Sequence, residues 1–211
     1  MFDDKIILYE DESLLIINKP SGILTVPTPK KENYTLTSVV NTILIKKGIQ
    51  TEVFPCHRLD RETSGLIIYA KSRAIQEIVM EQFKNGKVKK KYIAFVQGLV
   101  KQPSGVISFP IENKKAITKY KLLQRRKGYS IIEAEPETGR TNQIRIHFKM
   151  IGHPILGERK FAFGKDFNIK FRRVALHAGE IKFSHHATGK SLSFSCRLAD
   201  DMNKLIGSLN Y

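Results

Sequence analysis

The segment HRLDRETSG, residues 57–65, runs without a break into LIIYA, residues 66–70, and that join decides how the chain is read. The apolar part, GLIIYA at 65–70, is bounded by glycine on one side and Lys71-Ser72 on the other. That is the pattern of a short buried strand. The polar part places Asp60 within three positions of His57, Arg58 and Arg61, just ahead of Thr63, Ser64 and Gly65. Cations so close favour the charged form of a carboxylate. Hydroxyls at 63 and 64 can bond the backbone, and Gly65 allows close approach. A short acid thus stands on a tight turn at the mouth of a buried strand. Two uses remain open from this stretch alone: a salt-bridge anchor for Arg58 or Arg61, or a nucleophile or base.

Working outward, residues 6–9 and 14–18 read as two short strands joined by a turn at 10–13. Lys19-Pro20-Ser21-Gly22 stops the second strand. Pro27, Pro29, Lys30 and Lys31 continue as an exposed loop. Residues 37–46 predict a helix, apolar at Val39, Val40, Ile43 and Leu44, with Gly48 as its stop. Ser72 is a cap for a second helix over 74–83. Strands are expected at 91–97, 105–110, 116–123, 129–134, 175–178, 180–183 and 191–196. Residues 141–148 open a helix, closed by Gly152, Pro154 and Gly157. An amphipathic tail spans 200–206. Strands dominate without a regular βαβα alternation, so the fold class is α+β. The chain reads as one catalytic domain over 1–211, its core at about 10–200, with scope for two sublobes sharing one sheet.

Composition narrows the partner. The 211 residues carry 36 Lys and Arg against 20 Asp and Glu, a formal net charge of +16, with 41% hydrophobic residues. A folded protein so basic works beside a polyanion, and nucleic acid is the default choice. Acids at Asp3 and Asp4 argue against a secretory signal, and no run approaches 18 apolar residues. Two distant cysteines, Cys56 and Cys196, suit a reducing compartment. The expectation is a cytoplasmic monomer that meets no membrane and requires no protein partner.

Two further segments carry the charge. KNGKVKKKY at 84–92 has five lysines and no acid, then Tyr92. It is either a solvated charge run or phosphate contact followed by a ring for an unstacked base. TGRTNQIRIH at 138–147 sets Arg140 and Arg145 around Asn142 and Gln143. A guanidinium's fixed fork suits either a carboxylate or a phosphate. The six histidines, at 57, 147, 153, 177, 185 and 186, form no metal-ligand pattern, and neither CxxC nor HExxH occurs. GxGxxG, a P-loop and GxSxG are also missing. No metal and no cofactor is expected.

These segments closely resemble the RluA-type RNA pseudouridine synthases. The resemblance runs through NKPSGI (18–23), HRLDRETSG with LIIYAKS (57–72), KKYIAFVQG (90–98), TGRTNQIRIH (138–147), GHPILG (152–157) and ALHAGEIKF (175–183). It covers about residues 10–196, and HRLDxxTSG is by itself highly specific. It implies the pseudouridine synthase fold: a large, mixed, mostly antiparallel sheet with flanking helices and a central RNA-binding cleft. It implies isomerisation of uridine to pseudouridine in ribosomal or transfer RNA without metal or cofactor. It makes Asp60 the catalytic aspartate, Tyr92 the ring that packs on the target base, and Arg145 the ion-pair partner of Asp60. Arg58 would lie beside the flipped-out nucleotide, Leu176 would line the base pocket, and Arg140 would lie near the RNA backbone. His57 and Asn142 join the substrate-binding set. The chain departs from the family at two motifs. Asn142 stands where histidine is usual, and Glu158 follows Gly157 where aspartate is usual, with Phe161 and Phe163 in place of a nearby tyrosine. The competing reading is a non-catalytic RNA-binding or ribosome-assembly factor on the same fold. A metal-dependent nuclease would need clustered acids that the motifs lack.

Overall fold

The computed structural model describes residues 4–30, 32–162 and 169–208. Asp3, Lys31 and Phe163 lie outside the described residues. The chain forms two compact units: Met1–Val88 with Ile181–Cys196, and Lys89–Glu180 with Arg197–Tyr211.

In the first unit a 3-10 turn, Asp4–Ile6, leads into β1 (Ile7–Glu10) and β2 (Leu14–Lys19), an antiparallel hairpin. Asp11 makes its turn. One carboxylate oxygen accepts the backbone N–H of Ser13 and of Leu14, each at 2.7 Å. That local bonding is what favours aspartate in such turns. The helix α1 (Leu36–Lys46) starts one residue earlier than expected, on a reciprocal capping box between Thr35 and Ser38. After the short β3 (Phe54–Pro55) comes β4 (Ser64–Ala70), buried at every position. It pairs antiparallel with β2, from Leu14↔Ala70 to Lys19↔Gly65. Ser72 caps α2 (Arg73–Lys84) as expected, its hydroxyl accepting from Ile75 N at 3.3 Å. Leu14, Ile16, Leu66, Ile68, Val79, Ile181 and Phe183 form this unit's core.

The second unit is built on antiparallel strands in the order β5-β8-β7-β6: β5 (Lys89–Gln97), β6 (Ser104–Ile107), β7 (Thr118–Arg126) and β8 (Tyr129–Pro136). Its helices are α3 (Gln143–Met150) and α4 (Asp200–Ser208). Phe148 of α3 packs edge-on against Tyr120 of β7, ring centroids 5.7 Å apart. Gly105 of β6 leaves room for that tyrosine, because a Cβ there would stand 2.7 Å from its ring.

The two expected strands at 175–178 and 180–183 are one, β9 (Leu176–Ser184). Gly179 keeps a φ any residue can adopt, so it does not interrupt the ladder. Residues 176–180 of β9 belong to the second unit and 181–184 to the first, where β10 (Ser191–Ser195) pairs with it. The strand expected at 105–110 spans Ser104–Ile107, and a tight turn with positive φ at Glu112 and Asn113 follows it. The result is an α+β fold of mostly antiparallel strands with four helices among the described residues.

Candidate functional site

Within the first unit, residues 57–63 connect β3 to β4, and the three carbonyls that follow Asp60, those of Arg61, Glu62 and Thr63, are held by the NKPSG segment. The organiser is Lys19, the last residue of β2, whose side chain is completely buried. A lysine is rarely that buried unless its ammonium is bonded. Here it donates to the carbonyls of Pro20 at 3.0 Å, Arg61 at 3.0 Å and Thr63 at 2.8 Å. Ser21 Oγ donates to Glu62 O at 2.7 Å, and Gly22 N to Arg61 O at 2.8 Å. Thr25 Oγ1 both donates to Leu59 O (3.1 Å) and accepts from Leu59 N (3.3 Å). Thr63 N donates to Asp60 O at 3.1 Å and closes the turn.

Asp60 is thus half-buried on a backbone braced before it at Leu59 and after it at Arg61, Glu62 and Thr63. Arg58 next to it is exposed. His57 turns to β4: its Nε2 accepts the N–H of Ile68 at 3.1 Å, and its ring packs at a tilt against Phe83 of α2, centroids 4.7 Å apart. Arg61 meets Glu32 at 3.4 Å in an exposed pair, a contact that contributes little.

The second unit holds the other expected residues. Tyr92 lies in β5, 9% exposed, paired with Ala134 of β8. The lysine run before it is not uniform. Lys84, Lys87 and Lys89 are exposed. Burial pushes the Lys90 amine below its ordinary range. Lys91 approaches Glu133 at 3.7 Å and Glu180 at 3.8 Å.

The TGRTNQIRIH segment is organised by Gln143, 4% exposed. Its carbonyl oxygen accepts from Thr138 Oγ1 at 2.7 Å and from Arg140 N at 3.0 Å. Its amide nitrogen donates to Ile117 O and Thr118 Oγ1. Arg140 itself is exposed and donates from Nε to Lys115 O at 2.9 Å. Asn142 precedes α3 in the left-handed conformation, φ 55°, which asparagine tolerates better than most residues. Its side chain makes no helix cap. Asn142 Oδ1 instead accepts from Arg145 Nη1 at 2.6 Å.

The rest of Arg145 goes to Glu158. Nε donates to Oε2 at 2.6 Å and Nη2 to Oε1 at 2.9 Å, a two-pronged pair in which the carboxylate side chain is wholly buried. Burial pushes the Glu158 carboxyl up. The bonds from Arg145 and from Lys160 and Phe161 N–H outweigh that and hold it below the usual carboxylate range. Gly157 beside it has φ 77°, and a Cβ there would collide with the Arg173 carbonyl. Arg173 is bidentate to Asp201 of α4 at 2.7 and 2.8 Å. It also donates to the carbonyls of Val174 (2.9 Å) and Leu176 (3.3 Å). Leu176, 4% exposed, is therefore fixed at the start of β9.

The structure brings Asn142 and Arg145 together and commits His57 to β4. Lys19, Gln143, Glu158 and Arg173 escaped the sequence reading as site residues. Lys19 was visible only as the first residue of the turn that stops the strand at 14–18 and as part of the NKPSGI motif, and neither gave it a role. Glu158 was visible only as a departure from the family pattern. No helix among the described residues is long and apolar enough to cross a membrane. No three His, Cys, Asp or Glu side chains among them are grouped to hold a metal ion.

Comparison with known proteins places these features in context. Residues 13–150 match the family model described as RNA pseudouridylate synthase. RNA pseudouridine synthase YlyB of Bacillus subtilis (strain 168) is 36% identical over 96% of this chain and 72% of its own length. The dual-specificity RNA pseudouridine synthase RluA of Haemophilus influenzae is 34% identical over 90% of this chain and 92% of its own. The ribosomal large subunit pseudouridine synthase C of Pasteurella multocida is 32% identical over 98% and 68%. The structure of human RNA pseudouridylate synthase domain containing 4 superposes with a TM-score of 0.82 at 23% identity, covering 97% of this chain and 93% of that one.

Proposed function

The chain belongs to the RNA pseudouridine synthases, isomerases that convert uridine to pseudouridine in RNA, and we propose that it acts on a flipped uridine in a structured ribosomal or transfer RNA with Asp60 as its essential carboxylate. The observation that carries this is the bracing of the Asp60 turn: a buried ammonium and three hydroxyl or backbone donors fix its main chain. A surface ion pair needs no such support, whereas a reacting group does.

The reaction breaks the N1–C1′ glycosidic bond, turns the uracil, and joins C5 to C1′. The C5 proton leaves and N1 gains one, so the product is an isomer of the substrate. Asp60 supplies the carboxylate, which adds to the sugar or base or removes a sugar proton. Tyr92 packs on the target base, and Arg145 orients the carboxylate and keeps it anionic. Arg58, Arg140, Asn142 and Leu176 contact the extruded nucleotide or its backbone, and His57 supports the turn from behind. Extrusion costs least where the uridine already lies in a loop. The names of two relatives, one dual-specificity and one ribosomal large subunit, support ribosomal RNA as the first substrate to test. The protein works as a cytoplasmic monomer without metal or cofactor.

The test is base-resolution pseudouridine mapping of total RNA from cells with the intact gene, without it, and with Asp60→Asn. A uridine left unmodified in both altered strains is the expected result and names the substrate. A site lost only on deletion would refute the role of Asp60. No lost site at all would favour the non-catalytic assembly factor.

A further inference from the structure

Asn142 and Glu158, the two places where the motifs depart from the family pattern, both end on one guanidinium, that of Arg145. We infer that Glu158, together with Asn142, is a positioning residue that fixes Arg145 for the isomerisation; this rests on the role of Arg145 proposed above.

An arginine side chain has many rotamers and loses much freedom when held. Arg145 sits in the first turn of α3, where its stem alone fixes little. Its head is gripped on three sides: Glu158 takes Nε and Nη2, Asn142 takes Nη1, and the Phe161 ring lies 5.2 Å from Cζ. The grip is anchored independently of the arginine. Glu158 Oε1 also accepts the N–H of Lys160 at 2.8 Å and of Phe161 at 3.3 Å. The preceding Gly157 backbone abuts the Arg173 carbonyl so closely that no side chain fits. The carboxylate therefore sets where the guanidinium goes, not the reverse.

The pairing also says what kind of help Arg145 gives. A cation matched by a buried carboxylate has little net charge to offer, so it keeps a second carboxylate anionic chiefly by directed N–H bonds. What it retains is direction, since the bonds from Nε, Nη1 and Nη2 fix the plane and bearing of the guanidinium. Were Arg145 only a positive charge, Glu158 would oppose it, and Glu158→Gln would speed the reaction.

The experiment measures single-turnover tritium release from unmodified ribosomal and transfer RNA transcripts labelled at uridine C5. Wild type is compared with Glu158→Gln, Glu158→Asp, Asn142→Gly, Arg145→Lys and the double variant Glu158→Gln/Arg145→Lys. RNA affinity and melting temperature are followed in parallel. Glu158→Gln should slow turnover ~100-fold, as an ångström-scale misplacement does, with RNA affinity within ~2-fold. Glu158→Asp should recover most of the rate. The double variant should be no slower than Arg145→Lys, because the grip has nothing left to hold. A merely structural carboxylate would add its loss to that of Arg145→Lys, which would overturn the inference, as would a folded Glu158→Gln at or above the wild-type rate. If Glu158→Gln does not fold, Asn142→Gly decides. Glycine keeps the left-handed backbone, so a loss of ~5-fold or more that vanishes in an Arg145→Lys background supports the inference, and an unchanged rate refutes it. Full turnover by Arg145→Lys would instead refute the proposed role of Arg145, and the inference with it.

Discussion

Replacing Lys19 by methionine keeps the apolar stem and removes only the ammonium. Three main-chain carbonyls then lose a charged donor. The bond to Thr63 O is fully buried, and an unsatisfied carbonyl there costs about 2 kcal/mol. The carbonyls of Pro20 and Arg61 lie in part-buried bonds that water can replace, at about 1 kcal/mol each. Relief from burying a charge returns about 1 kcal/mol. The net loss is about 3 kcal/mol, and in a chain of this size that lowers the melting temperature by roughly 6–12 °C. Function should suffer more than stability. Arg61 O and Thr63 O lie one and three residues after Asp60, so slack there moves the carboxylate, and a displacement near 1 Å costs ~100-fold in rate. Calorimetric melting and single-turnover tritium release, both well below the melting temperature, read the two effects separately. A Lys19→Met protein that melts within about 1 °C of wild type and turns over normally would refute the claim that Lys19 braces the turn.

Three other outcomes are expected. Gly157→Ala puts a Cβ against the Arg173 carbonyl and forces alanine into the left-handed region, so it should cost about 3 kcal/mol and abolish turnover at 37 °C; an unchanged melting curve would contradict the packing. His147 is fully buried between Thr118 Oγ1 and Phe109 O, and burial holds its imidazole below the ordinary range despite the bond to Phe109. With the folded-state value depressed, the unfolded chain binds the proton first. The stability is therefore complete above about pH 6.5 and drains away as pH falls toward the folded value. Urea midpoints should rise between pH 5 and 7.5 in wild type and rise less in His147→Gln; equal slopes would exclude His147 as the source. RNA binding should weaken about a thousandfold from ~50 to ~200 mM salt if about six phosphates are contacted, and filter binding that ignores salt would contradict the phosphate-led reading.

Much of this protein is legible locally. The apolar run at 65–70, the Ser72 cap and the amphipathic spacing of α2 specify β4 and α2 because burial and capping act over a few residues. The basic balance points to a polyanion, and the motif at 57–65 points to the family, through residue types alone. Elsewhere tertiary contacts decided. The helix expected from 141 starts at Gln143, because Asn142 takes the left-handed conformation and gives its side-chain oxygen to Arg145 instead of to a helix cap. Gly179 reads as a breaker between two strands, yet pairing on both flanks carries β9 straight through it. Lys19 reads as the first residue of a turn, and only the fold supplies the carbonyls of residues 61 and 63, more than forty positions away, that let an ammonium be buried. Glu158 is a surface residue by type. It is buried because a guanidinium from α3 meets it thirteen positions back. Desolvating a charge is unfavourable until its partner is in place, and partners distant in sequence are chosen by the fold and not by the neighbouring residues.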